Sequence, residues 1–186
     1  MEILNIEKEK AINAYRVGSY EQKQVLELLF GVETLKPKTV MDRVKTFEDA
    51  LKELKPFHPL VKEYKALCKA DVTSNLIAYS KLCIVTAALN EGWTPKFIKG
   101  EKRYSPCFFL YTDKEIRNMS KEEKSRVVYR SSDYASAYGG VSFAYAFYGS
   151  AYVAASVGSR LAFKTKELAE YAGKQFADLY ADYLGI

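Results

Sequence analysis

Apolar residues recur every three or four places along the chain as far as Gly92, then alternate with small or polar residues over much of the C-terminal half. The first spacing belongs to amphipathic helices and the second to half-buried strands. Residues 6–16 predict a short helix, with Ile6, Ala11, Ile12, Ala14 and Tyr15 opposed to Glu7, Lys8 and Lys10. Ser19 begins a second helix. Gln22 stands three places on, where its side chain reaches back to the Ser19 amide while the serine hydroxyl accepts from the Gln22 amide. Val25, Leu26, Leu28, Leu29 and Phe30 form the apolar side of this helix, and Gly31 ends it. Lys36, Pro37, Lys38 and Thr39 read as a turn. Thr46 with Asp49 repeats the cap ahead of a helix over 47–54, and Pro56 and Pro59 punctuate the turn before a helix over 60–69. The helix over 74–90 is apolar around much of its circumference, which predicts burial. Gly92 and Pro95 terminate it.

The second half reads differently. A strand runs over 104–112, and a polar stretch to Arg126 holds two helix-start residues, Asp113 and Ser120. Residues 127–129 make a short strand, and 131–140 a loop of Ser, Ala, Tyr and Gly. The strongest alternation comes next, with Val141, Phe143, Tyr145 and Phe147 set against Ser142, Ala144, Ala146 and Tyr148. Gly149-Ser150 has the composition of a hairpin turn. A returning strand over 151–157 and a last strand over 161–164 are predicted from there. The chain closes on a helix over 166–183 with Thr165 as its cap. Its residues Lys166, Glu170, Lys174, Asp178 and Asp182 lie on one stripe and Leu168, Tyr171, Ala172, Phe176, Leu179 and Tyr180 face a core. Gly173 is its one weak point by propensity. Strands that gather instead of alternating with helices predict an α+β protein: N-terminal helices, an antiparallel β-meander and a closing amphipathic helix. With 186 residues, the whole chain reads as one domain, helical to about residue 92 and sheet with its terminal helix beyond.

Composition changes this picture in three places. Aromatics reach 14%, with 15 Tyr, 10 Phe and the single Trp93, which predicts ring-rich sheet faces or a contact surface. A net charge of +5 is compatible with a polyanionic partner. Cys68, Cys83 and Cys107 are odd in number and widely spaced in apolar settings, so they read as buried or half-buried free thiols of a reducing compartment. No signal-peptide pattern opens the chain, and the cytoplasm is the expected location. Residues 134–159 carry no charge, yet their glycines, serines and tyrosines keep them from reading as a membrane span.

Catalytic patterns are sparse. His58 is the single histidine, and nothing near it in sequence orients it as a base, so a loop residue is the expectation. One histidine and three scattered cysteines give no zinc spacing. No phosphate-binding glycine loop, dinucleotide fingerprint or nucleophile elbow occurs, and no cofactor is expected. The acids Asp42, Glu48, Asp49, Glu122 and Glu123 are explained by caps and solvated helix faces. The expectation is therefore binding, not catalysis.

The segment from Trp93 to Tyr104 interleaves Lys96, Lys99, Lys102 and Arg103 with Trp93, Phe97 and Tyr104. Cations that displace counterions and rings on which bases stack are the two ingredients of a single-strand site. Arg126, Tyr129 and Arg130 repeat the theme. Against this stands a structural reading, in which Trp93 plugs a core, Phe97 and Tyr104 begin the sheet, and the cations sit on a solvated loop.

Four blocks carry a resemblance: Asp42-Arg-Val-Lys-Thr-Phe-Glu-Asp-Ala50, Ala87-Ala-Leu-Asn-Glu-Gly-Trp-Thr-Pro95, Gly158-Ser-Arg-Leu161 and Glu167-Leu-Ala-Glu-Tyr-Ala-Gly-Lys-Gln-Phe176. They resemble an uncharacterised protein family of phages, prophages and mobile elements of gut Bacteroidales. Ser105-Pro-Cys107 departs from that pattern, in which Tyr-Pro-Trp is expected. The resemblance implies a bacterial host cell during phage infection and carries no site residues with it.

Three functions are thus in play. The first is an accessory protein that binds single-stranded nucleic acid through Trp93, Lys96, Lys99, Lys102, Arg103, Tyr104, Arg126, Tyr129 and Arg130. The second sequesters a nucleotide signal of host defence in a pocket drawing on Tyr134, Tyr138 and Arg160. The third is a virion or assembly component that self-associates through its ring-rich strands.

Overall fold

The computed structural model describes residues 6–35, 39–96, 98, 100–129, 139–150 and 159–185. They form two compact units, Met1–Asp42 and Arg43–Ile186. In the first, α1 (Lys8–Val17), α2 (Tyr20–Phe30) and α3 (Val32–Leu35) close around Ala11, Tyr15 and Leu35, with Leu26 and Phe30 against them. The capping box is present: the Ser19 amide donates to Gln22 Oε1 at 2.8 Å and the Gln22 amide to Ser19 Oγ at 3.4 Å. Gly31 takes φ +76° and ends α2. The unit's own residues leave Val25, Leu28 and Leu29 uncovered, so only part of the apolar side read from the sequence is used within it.

The chain passes to the second unit within α4 (Val40–Arg43). There α5 (Phe47–Leu54), α6 (Pro59–Leu67) and α7 (Ser74–Leu89) come first. The central helix is α7: Leu82, Ile84, Val85 and Leu89 are buried in it, as its largely apolar circumference predicts. Packed around it are α5, α6 and, from the far end of the chain, α11 (Ala177–Leu184).

The sheet contains β1 (Lys102–Tyr111), β2 (Val128–Tyr129) and β3 (Gly140–Ser150), all antiparallel, in the order β1-β3-β2. The long last strand is central, and β1 pairs with it instead of with its sequence neighbour. Between β1 and β2 run α8 (Asp113–Asn118) and α9 (Lys121–Lys124). A 3-10 turn, Ser159–Leu161, leads to α10 (Lys166–Gln175), which lies on β1 and β3. The class is α+β, helices first and sheet second.

Four local expectations are corrected. Gly149 and Ser150 are not a hairpin turn but the last residues of β3, paired with Arg103 and Lys102. Residues 161–164 make no strand; Phe163 forms a single bridge with Tyr104, 3.0 and 2.8 Å in its two backbone hydrogen bonds. The closing helix is broken at Phe176 (φ −116°, ψ 28°), which turns its ring inward. Cys68 is exposed, while Cys83 is buried and Cys107 half-buried; all three are free. The turn at 36–38, the loop at 131–138 and the returning strand at 151–157 lie outside the described residues.

Caps fix the helix starts and make a pH prediction. Asp49, Glu115 and Glu123 each accept from the cap residue three places before, at 3.0, 2.7 and 2.8 Å. These bonds to Thr46, Thr112 and Ser120 hold all three carboxyls below the usual carboxylate range. A carboxylate with a lowered folded-state pKa adds stability that is complete above its unfolded value and is lost as pH falls through the folded one. The urea midpoint is therefore expected to stay level from pH 7 to 5 and to fall below about pH 4.5. A midpoint that rises on acidification contradicts these caps.

Candidate ligand-binding cleft

The site is built at the C-terminal end of α7. Two polar residues one turn apart, Thr86 and Asn90, interrupt its apolar surface, and both are buried. Asn90 acts as a two-way pin. Its Nδ2 donates to Ala162 O at 2.8 Å and its Oδ1 accepts from the Lys164 amide at 3.0 Å. The Tyr104 backbone holds Phe163 from the other side, so the segment 162–164 is clamped between α7 and β1. Arg160 is thereby delivered to the end of α7.

Past Asn90 the chain reverses through Glu91 and Gly92, at φ +49° and +85°, and the Trp93 amide donates to Asn90 O at 3.0 Å. Only glycine takes such a conformation at little cost, and Glu91 bears the strain among ion pairs. Its carboxylate meets Arg43 at 2.9 Å and Lys164 at 3.3 Å, and these two cations hold its pKa below the usual range. The reversal sets the Trp93 indole beside the helix it has just left.

The result is a cleft of about 160 Å³ walled by Cys83, Thr86, Asn90, Trp93 and Arg160. Arg160 carries its charge on the rim, bound to Glu63 at 3.0 and 3.2 Å and about half exposed. A pair so exposed contributes little, and its guanidinium is open to exchange for another anion. Burial pushes the Cys83 thiol up, against a hydrogen bond from Tyr79 and the charge of Arg160, so at neutral pH it is a neutral wall group. The Thr86 hydroxyl is buried and has no hydrogen-bond partner among the described residues. His58 is spent elsewhere, as the cap of α6, its Nδ1 accepting from the Leu60 amide at 3.3 Å.

Trp93, from the basic-aromatic segment, and Arg160, from the separate pocket set, are thus brought together. The other described residues of that segment disperse; Phe97 lies outside the described residues. Lys96 is exposed. Lys102 stands 5.2 Å over the ring of Tyr148, which also lies 6.1 Å from Tyr104. Arg103, next in the strand, points to the opposite face and is 6% exposed, so it is no surface cation. Arg126 lies in another region of the unit, paired with Glu122 at 2.5 Å. Lys99, Arg130, Tyr134 and Tyr138, and the side chain of Tyr129, lie outside the described residues.

Sequence reading missed Thr86, Asn90 and Glu63. The first two had a signal: polar residues four apart in the apolar second half of the helix share one face and mark where its burial meets a polar neighbour. Glu63 had none. Among the described residues no group of three or more His, Cys, Asp or Glu is placed to hold a metal, and no helix is long and apolar enough to cross a membrane. Comparison of the chain with protein-family models, with curated proteins and with solved structures finds no match.

Proposed function

We propose that the Arg43–Ile186 unit binds a nucleotide in the cleft at the end of α7, its base against the Trp93 indole and its phosphate on Arg160. The convergence of Trp93 and Arg160 on one hollow carries this reading. The chemistry suits each part of the ligand. A ring stacks on an aromatic face, and a phosphate takes a charge-assisted hydrogen bond from arginine. A volume of about 160 Å³ admits one flat ring system and leaves the phosphate at the rim; whole drug-sized ligands take about 300 Å³ or more. In the phage setting that the sequence blocks resemble, such a protein would withhold a nucleotide signal from the host's defence.

Calorimetric titration with adenosine monophosphate tests this. Binding is expected, and Arg160→Ala is expected to weaken it about tenfold or more, the worth of one charge-assisted hydrogen bond. Equal affinity in the wild type and the variant would remove Arg160 from the site.

A second reading, single-stranded nucleic acid, draws on a different observation: the exposed ring of Tyr148 beneath Lys102 and beside Tyr104. A strand stacked there shows an affinity that falls steeply with salt. Anisotropy of a labelled oligonucleotide is expected to lose that signal in the Lys102→Ala, Tyr148→Ala double variant. A signal that persists assigns the strand to other residues.

A further inference from the structure

A second hollow of the Arg43–Ile186 unit, of about 400 Å³, shares no residue with the cleft at the end of α7. One wall is the turn from α9 into β2, with Arg126, Val127 and Val128. The other is the joint between α10 and α11, with Lys174 and Asp178, and Phe143 of β3 lies between the two. The joint exists because the backbone leaves the helix at Phe176, whose ring is buried. Phe143 lies close against α10 because residue 173 has no side chain: a β-carbon there would sit 2.4 Å from the ring.

Two cations border this ring. Lys174 Nζ stands 5.3 Å from the centroid of Phe143 and has no other partner among the described residues. From the opposite wall comes Arg126, whose partner Glu122 lies one turn away on the surface, with both side chains more than two-thirds exposed. Such a pair contributes little and gives way to a better placed anion. Among the described residues the hollow therefore has an apolar centre of Phe143, Val127 and Val128 bordered by two cations.

We infer that this hollow is a second, independent ligand site, for a flat aromatic carboxylate. Its ring system lies against Phe143 and the two valines, and its carboxylate is held between Arg126 and Lys174. Size matches as well: about 400 Å³ falls in the range of small-molecule sites.

The test uses 2-naphthoate as probe and the whole chain, with the methyl resonances of Val127 and Val128 followed by NMR. Saturable shifts at those methyls are expected, with no change in Trp93 fluorescence. The Arg126→Ala, Lys174→Ala double variant is expected to bind about tenfold or more weakly. Both side chains are exposed, so its melting curve should match the parent's. Independently of any variant, the neutral isostere 2-naphthalenemethanol is expected to bind the parent about tenfold or more weakly than the acid. Absence of saturable shifts overturns the site. So does equal binding by the double variant, or by the neutral isostere.

Discussion

Replacing Asn90 with Ala is expected to lower the stability of the Arg43–Ile186 unit by about 3 kcal/mol, read as a shift of its urea midpoint at unchanged slope. The magnitude comes from the groups left behind. Asn90 is 3% exposed and satisfies two backbone groups of one neighbouring segment, the Ala162 carbonyl and the Lys164 amide. Truncation orphans both, the Ala162 carbonyl at a buried position and the Lys164 amide at a part-buried one, and an orphaned buried group costs about 1–3 kcal/mol. Asn90→Asp separates this account from one based on size alone. The carboxylate still accepts from Lys164, but it turns a second oxygen toward the Ala162 carbonyl, so no rescue is expected. An Asp variant as stable as the parent would mean that the pin is only a spacer. Because Arg160 and Trp93 both depend on this junction, Asn90→Ala should also loosen the cleft.

Gly173→Ala is expected to destabilise the same unit by about 2 kcal/mol. Propensity alone points the other way, since alanine improves on glycine in a helix by about 1 kcal/mol. Contact geometry decides. A β-carbon at 173 would stand 2.4 and 2.7 Å from the ring of Phe143 and 2.7 Å from the β-carbon of Pro106. The proline ring cannot swing away, so α10 must lift from the sheet or Phe143 must leave its place. Thermal denaturation gives the sign directly. A raised melting temperature would show that α10 is not seated on β1 and β3 as described.

How much of the fold was legible in the sequence varies with the range of the forces involved. Ser19 with Gln22, Thr46 with Asp49, and Thr165 were readable because a cap involves only neighbours three residues apart. So was α7, whose apolar circumference is its own record. Gly149-Ser150 misled because turn composition is local, while its pairing with Arg103 and Lys102 comes from a strand 46 and 48 residues earlier. The break at Phe176 has helix formers on both sides and no sequence mark. Gly173 looked like a flaw because propensity does not see the ring that needs the space.

The candidate site shows the same division. Trp93 and Arg160 were each visible as chemistry, but only the Asn90 junction brings them together, and that is a contact between residues 72 and 74 apart. Arg103 illustrates the converse. It stood in a run of cations, yet strand alternation beginning at Lys102 turns it to the buried side. Starting the strand at Tyr104, as the apolar pattern alone indicates, concealed that parity.

The central claim is that one hollow joins a ring site to a phosphate site, and Trp93, the single tryptophan of the chain, reports on it. The most direct measurement is its fluorescence on titration with adenosine monophosphate, with adenosine and inorganic phosphate as the two halves. The account expects a saturable change with the nucleotide, a weaker one with adenosine and none with phosphate alone. A nucleotide that leaves the Trp93 emission unchanged at millimolar concentration, or a response to adenosine as tight as to the nucleotide, would contradict it.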